Sequence, residues 1–451
     1  MKKYTYTHSA DFEVFQEELF DWHMRPGALQ RLLPPWRDVR LLFPPGQPQE
    51  VGSRVGLKIK WGPFWKKWIL AYRDFIPDHE FSDVQIQGPF RFYEHCHVVR
   101  ARDAATSNLT DQITYTPPWF VPQRCIQTEF EHLFAWRCAL MRADFELFSR
   151  YARAPMRILL SGASGFIGSH MKSFLETAGH EVIRLVRRKE DSQDTIYWDP
   201  IHGDVSKEQF EGFDVVIHLA GENIAAGRWS KARKERLFHS RCRDTWLLSQ
   251  ALCRLYQPPK LLITASAIGF YGHRGDEELT EESSKGQGFL ADLCSKWEAA
   301  TEAIENRGTR VVHARFGAVL SARGGMLRRL LPAFRLGLGG NLGSGEQYLS
   351  WIGIDDLLGA LYHALRTDEI QGPLNVVAPE PLRQKEFAKI LAKHLHRPRL
   401  LNLPTFALKL ALGEMAEELM LASARAVPEK LLKTGYQFRY PDLATALQFV
   451  L

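Results

Sequence analysis

A chain of 451 residues is long for one domain and sufficient for two or three. Its 45% hydrophobic and 24% charged content is that of a globular protein with a sizeable core. The net charge of +6 is spread evenly: 20 Lys and Arg stand against 18 Asp and Glu in residues 1–155, and 38 against 34 beyond. No basic arm points to nucleic acid as a partner.

The six cysteines (Cys96, Cys125, Cys138, Cys242, Cys253 and Cys294) form no C-x-x-C pair and complete no zinc spacing. They read as free thiols in a reducing compartment. The first residues lack the apolar core of a signal peptide, and no apolar run approaches the roughly 18 residues of a membrane span. The expectation is a soluble cytoplasmic protein with no membrane span. The sequence does not give the oligomeric state.

In chain order, residues 11–22 read as a helix. Extended runs follow at 55–61, 68–75, 81–87, 90–100 and 108–115, most of them parted by Gly or Pro, as in an antiparallel sheet. Residues 127–151 read as a long helix with Phe130, Phe134, Cys138 and Met141 at helical spacing. Seven of the twelve tryptophans fall before residue 156, so this part has an aromatic interior. A sheet gripping a long helix encloses a cavity suited to an apolar ligand, or else the aromatics simply fill a core. His95 and His97 alternate on one strand face, but no third ligand stands at a suitable spacing, so no metal is expected.

The segments 18–23, 25–27, 32–36, 92–97 and 110–118 resemble the helix-grip superfamily of polyketide-cyclase-like and START-like (SRPBCC) domains. The resemblance implies an α+β domain over residues 1–154 with an apolar cavity. Arg153, Ala154 and Pro155 make a short joint to the second part of the chain.

Beyond the joint, a leucine-rich run ends at Gly162, and Gly165 and Gly168 come after it at three-residue steps. This is a strand passing through a glycine turn into a helix, the cradle of a dinucleotide pyrophosphate. Gly162, Ser164, Gly165, Phe166, Ile167 and Gly168 are the expected cofactor contacts. A helix over 169–178 and a strand over 181–187 complete the βαβ unit that such a fingerprint requires. An NAD site would carry an acidic residue near the end of that second strand. Arg187 and Arg188 stand there instead, and their guanidinium groups match a 2′-phosphate. NADP is therefore expected, with NAD the less favoured cofactor; the alternative is a solvated basic turn.

Further strands read at 197–200, 214–221, 260–266 and 310–316, with helices at 228–256 and 288–306. Leu219, Ala220 and Gly221 end one strand with the small residues that leave room for the nucleotide. Apolar strands alternating with helices make this an α/β, doubly wound parallel sheet over residues 155–451. The glycine fingerprint, with segments 218–223, 264–272, 289–298, 315–320 and 343–356, resembles the extended short-chain dehydrogenase/reductase superfamily. Within it the likeness is to the YfcH-like "epimerase-like" group, which adds a C-terminal extension, here from about residue 400.

That superfamily uses a Tyr as acid or base, with a Lys four residues later lowering its pKa, and a Ser holding the substrate oxygen. Lys296 stands at the lysine position, but Asp292 replaces the Tyr, as in the atypical group. Ser266 remains as the substrate contact. Tyr271 is the nearby tyrosine that can substitute, or else it anchors a loop. Glu222, Arg315, Gln347 and Trp351 are candidate substrate residues. Arg315 reads equally as a structural ion pair, and Trp351 as a core anchor. The expected function is an NADP-dependent oxidoreductase or nucleotide-sugar-epimerase-like enzyme on a small molecule. Its rival is a non-catalytic NADP-binding sensor.

Overall fold

A computed structural model of the chain describes residues 2–201 and 207–451. Two compact units form, Met1–Arg153 with Ser173–Gly179, and Ala154–Lys172 with His180–Leu451.

The first unit is built from β1 (Tyr4–Phe12), α1 (Gln16–Met24), α2 (Ala28–Arg31), β2 (Val39–Leu41), β3 (Arg54–Trp61), β4 (Phe64–Ile76), β5 (Glu80–Gln87), β6 (Phe92–Ala101), β7 (Ser107–Thr116) and α3 (Gln123–Arg150). Its seven-stranded antiparallel sheet has the order β1-β7-β6-β5-β4-β3-β2. The first strand thus pairs with the last, from Tyr4 opposite Tyr115 to Phe12 opposite Ser107. Alternation sends Tyr6, Ile113 and Tyr115 to one face, where they pack on Ile126, Phe130 and Phe134 of α3. The helix expected to begin at residue 11 instead begins at Gln16, because Asp11 and Phe12 are held in the ladder by their partners on β7.

The second unit runs β8 (Arg157–Ser161), α4 (Phe166–Thr177), β9 (Glu181–Val186), β10 (Thr195–Tyr197), α5 (Lys207–Phe210), β11 (Val215–His218), α6 (Lys231–Phe238), α7 (Asp244–Cys253), β12 (Leu261–Ala267), β13 (Glu278–Leu279), α8 (Phe289–Ala299), α9 (Glu302–Glu305) and β14 (Arg310–Phe316). It continues through β15 (Ala318–Ser321), α10 (Gly325–Arg335), β16 (Tyr348–Leu349), β17 (Trp351–Gly353), α11 (Ile354–Arg366) and β18 (Gly372–Val376). Its main sheet has the order β10-β9-β8-β11-β12-β14-β18 and is parallel throughout. The order reverses beside β8, which puts the crevice where ligands bind in such folds outside the ends of β8 and β11. A tail completes the unit, made of short helices and the strand Arg425–Ala426, which pairs with β13.

Three expectations are corrected. The helix read over 228–256 is interrupted by a π turn at His239–Arg243. The helix read over 288–306 stops at Ala299 and restarts at Glu302. The sheet has one further strand, β18, whose Gly-Pro start hid it. Among the described residues no helix is long and apolar enough to cross a membrane.

Candidate functional site

The glycine turn after β8 is shaped by contacts that leave no room for side chains. Gly162 has φ +73°, and a Cβ there would lie 2.7 Å from the Ala220 nitrogen. A Cβ at Gly168 would lie 2.1 Å from the Gly162 oxygen. The turn therefore brings α4 close against β8 and presents its amides to the crevice. His218 ties the neighbouring strand end to it. Its Nδ1 lies 2.7 Å from the Ser161 hydroxyl, which accepts the Ala220 N–H at 3.3 Å. Burial pushes the His218 pKa down to about 4, so the ring is neutral at physiological pH.

From this turn opens a cleft of about 1290 Å³, bordered by Gly162, Gly165, Gly168, Ala220, Gly221 and Ser266. Arg241, which sequence reasoning missed, borders it as well. The π turn carries this residue. Its Nη2 donates to the Glu222 carbonyl at 2.8 Å, and its guanidinium lies 5.1 Å from the Trp297 ring centre. The Arg241 Nη1 is buried without a hydrogen-bond partner among the described residues, and burial works against the charge. A lone arginine in a helix carries no spacing signal, which is why sequence alone did not find it.

Beside Ser266 lies a closed polar network. The Ser266 hydroxyl donates to Glu298 Oε1 at 2.6 Å. Arg315 grips both Glu298 oxygens at 2.8 Å and donates Nη1 to the Tyr271 hydroxyl at 2.9 Å. Asn375 and the Thr280 carbonyl accept from the same hydroxyl, at 2.7 and 2.9 Å.

Comparison with known proteins places this geometry. The model of the "NAD dependent epimerase/dehydratase family" matches residues 158–377, and a "domain of unknown function" model (DUF1731) matches 403–450. An epimerase family protein of Mycobacterium bovis is 41% identical over 292 residues, which are 65% of this chain and 96% of that protein. The chain belongs to the epimerase family. Across 99% of its length it is similar to a solved nucleoside-diphosphate sugar epimerase from Corynebacterium glutamicum, at 32% identity and a TM-score of 0.81, covering 90% of that chain. Over 65% of its length it is similar to the human epimerase family protein SDR39U1, solved with NADPH, at 35% identity and a TM-score of 0.61, covering 99% of that chain.

Within this epimerase-family chain the expected site residues separate into two groups. The three glycines, Phe166, Ile167, Leu219, Ala220, Gly221, Ser266 and Gln347 all border the cleft. Gln347 spends its amide donors on the Leu342 and Met420 carbonyls. Ser164 is exposed on the turn, and Arg187 and Arg188 are exposed just past β9, the strand beside β8. The rest do not reach the cleft as expected. Tyr271 is fully buried with its hydroxyl committed, and burial raises its pKa against the pull of Arg315, so it is a loop anchor. Lys296 is exposed, with its ammonium over the Phe238 ring. Asp292 pairs with Lys285 at 2.6 Å. Trp351 is a core anchor whose indole N–H donates to the Glu380 carbonyl. Glu222 is held in an ion pair by Arg233. Arg315 is the structural ion pair described above.

A second cavity, of about 430 Å³, lies inside the N-terminal unit and is bordered by many aliphatic and aromatic side chains and also by polar ones, Asp83, His95, His97, Arg37, Glu129 and Arg137 among them. Here the expectation that the two histidines lack a third ligand is corrected. Asp83 of the neighbouring strand stands directly opposite His95. Candidate ligand atoms of Asp83, His95 and His97 all lie within 4.8 Å of one another. Spacing along one strand cannot reveal a partner supplied by the next.

Proposed function

We propose that this protein binds NADP in the cleft beside β8 and acts as an NADP-dependent oxidoreductase or nucleotide-sugar-epimerase-like enzyme on a small-molecule substrate. The observation that carries the reading is the glycine cradle: a Cβ would meet backbone atoms at 2.1 Å at Gly168 and 2.7 Å at Gly162, so neither position admits another residue. Arg241, with a nitrogen that has no partner among the described residues, borders the cleft with Gly221 and is placed to bind a phosphate oxygen. Arg187 and Arg188 supply the grip on the 2′-phosphate, and the human relative solved with NADPH supports that preference. When bound, the nicotinamide supplies hydride transfer. Ser266, whose own proton goes to Glu298, holds the substrate oxygen by accepting from a substrate hydroxyl, and a bound water rather than Tyr271 or Lys296 carries the proton, since neither of those side chains borders the cleft.

The second reading is a sensor that binds NADP without turnover. It is favoured by the buried, committed hydroxyl of Tyr271 and by the exposure of Lys296. We assign residues 1–154 as a helix-grip domain taking an apolar ligand, on the strength of the sheet in which β1 pairs with β7, the 28-residue α3 and the aliphatic and aromatic side chains bordering the cavity. Residues 155–451 are the cofactor-binding domain, with a small extension from about 400.

Calorimetry tests the cofactor assignment. Arg187→Gln with Arg188→Gln should weaken NADPH about ten- to a hundredfold and leave NADH nearly unchanged. Equal losses for both would overturn the NADP assignment. Gly168→Val should abolish binding of both. Loss of NADPH absorbance with a panel of carbonyl compounds, or formation of an epimer from a nucleotide sugar, separates enzyme from sensor.

A further inference from the structure

We propose that the cavity of the N-terminal unit holds a divalent first-row transition ion of the zinc class on Asp83, His95 and His97, with one coordination position open to the cavity. The inference stands apart from the cofactor reading of the other unit.

Strand register makes the cluster. Asp83 on β5 is opposite His95 on β6, and His97 on β6 is opposite Asp111 on β7. Side chains two apart share a face, so His95 and His97 project together. All four residues therefore gather on the inward side of three adjacent strands. Donor atoms of Asp83, His95 and His97 converge within 4.8 Å. A tetrahedral ion with bonds of about 2.1 Å needs its ligands about 3.4 Å apart, so shifts of about 1.4 Å or less complete the site.

Two observations separate this cluster from a merely structural network. First, Asp83 is 7% exposed, borders the cavity, and keeps its Oδ1 buried with no hydrogen-bond partner among the described residues. A buried carboxylate oxygen without a donor is costly, and a cation is the partner that removes the cost. Of the two arginines bordering the cavity, Arg137 donates its Nε to the Leu32 carbonyl at 3.2 Å and Arg37 its Nε to Glu129 at 2.7 Å, and neither meets that Asp83 oxygen. Second, Asp111 Oδ1 lies 3.0 Å from His95 Nε2 and 2.7 Å from His97 Nδ1. The contact with His95 is a hydrogen bond, which fixes that ring's tautomer and leaves a lone pair on its Nδ1, the usual support of a metal-binding histidine, whereas the buried His97 Nδ1 has no hydrogen-bond partner among the described residues. The set holds nitrogen and oxygen and no thiolate, which suits zinc, iron or nickel. Three protein ligands leave a fourth position, and an oxygen of a cavity guest can fill it.

The test uses the full-length protein, stripped with chelator and titrated with Co²⁺ alone. Expected is one equivalent bound, with visible d–d bands, displaced by one equivalent of Zn²⁺. Asp83→Asn and His97→Gln should each weaken binding by about tenfold or more, and Asp111→Asn by about 10–100-fold, with near-UV circular dichroism unchanged. A folded wild-type protein that takes up less than about a tenth of an equivalent overturns the proposal, as does equal binding by wild type and folded Asp83→Asn. Should the variants misfold, X-ray absorption of the wild-type Zn²⁺ complex decides. A shell of nitrogen and oxygen with two imidazoles supports the site, and a sulfur-containing or all-water shell overturns it.

Discussion

The two units each bury a polar cluster, and the clusters differ in how completely they are satisfied. Around Arg315 both carboxylate oxygens of Glu298, the Ser266 hydroxyl and the Tyr271 hydroxyl are joined in one closed set. Around Asp83 an oxygen remains without a donor among the described residues and the side chain borders a cavity. A closed network fixes a shape, and only the Ser266 oxygen at the border of the cleft keeps acceptor capacity for a ligand. An open one marks where a ligand belongs. The comparison explains why Tyr271 and Arg315, which look chemically able in sequence, hold the fold, while histidines dismissed for want of a partner stand in a built site.

The comparison can be broken most forcefully at Arg315. Its side chain is 3% exposed, so Arg315→Met should strand the Glu298 charge and cost about 3–5 kcal/mol in urea unfolding. The double change with Glu298→Gln should recover most of it, and an unimproved double variant would show the pair is not the cause. His218 gives the next largest effect. Its folded pKa of about 4 lies below the unfolded value of about 6.5, so between those pH values the unfolded chain binds the extra proton. Stability from this group is therefore full above about pH 6.5 and falls by about 3 kcal/mol as pH drops through 4. The stability–pH slope of His218→Gln should be correspondingly flatter. Opposite in sign is Asp83→Asn, which removes a buried unpartnered charge. In chelator it should be neutral or stabilise the protein by about 1–3 kcal/mol. Marked destabilisation there would mean the cluster is closed after all. Smallest is Lys296→Gln, expected within about 0.5 kcal/mol in stability and without effect on NADPH affinity, because the side chain is exposed outside the cleft.

What was legible in the sequence was local. The glycine turn and the apolar strands of the parallel sheet are written in consecutive residues, and the three glycines, Phe166, Ile167, Leu219, Ala220 and Gly221, expected as cofactor contacts, border the cleft, whereas Ser164, Arg187 and Arg188 do not line it. What escaped depends on register or on neighbours far along the chain. Asp83 and Asp111 lie inward because they fall in phase with Phe81 and Ile113, a two-residue period in which a carboxylate stands where an apolar side chain is expected. Arg241 reaches the cleft through a π turn that no Gly or Pro announces. The burial of Tyr271 and Trp351 rests on Asn375 and the Glu380 carbonyl, partners 104 and 29 residues away.

One small contact has a temporal meaning. The first two amides of α8 donate to the Glu418 carboxylate, at 2.9 and 2.7 Å, from 129 and 128 residues upstream of it. Gly288, which precedes them, has no side chain with which to do this itself. On the ribosome, α8 must therefore wait with an unfinished first turn while the rest of the sheet is translated. It is sealed only when the tail emerges.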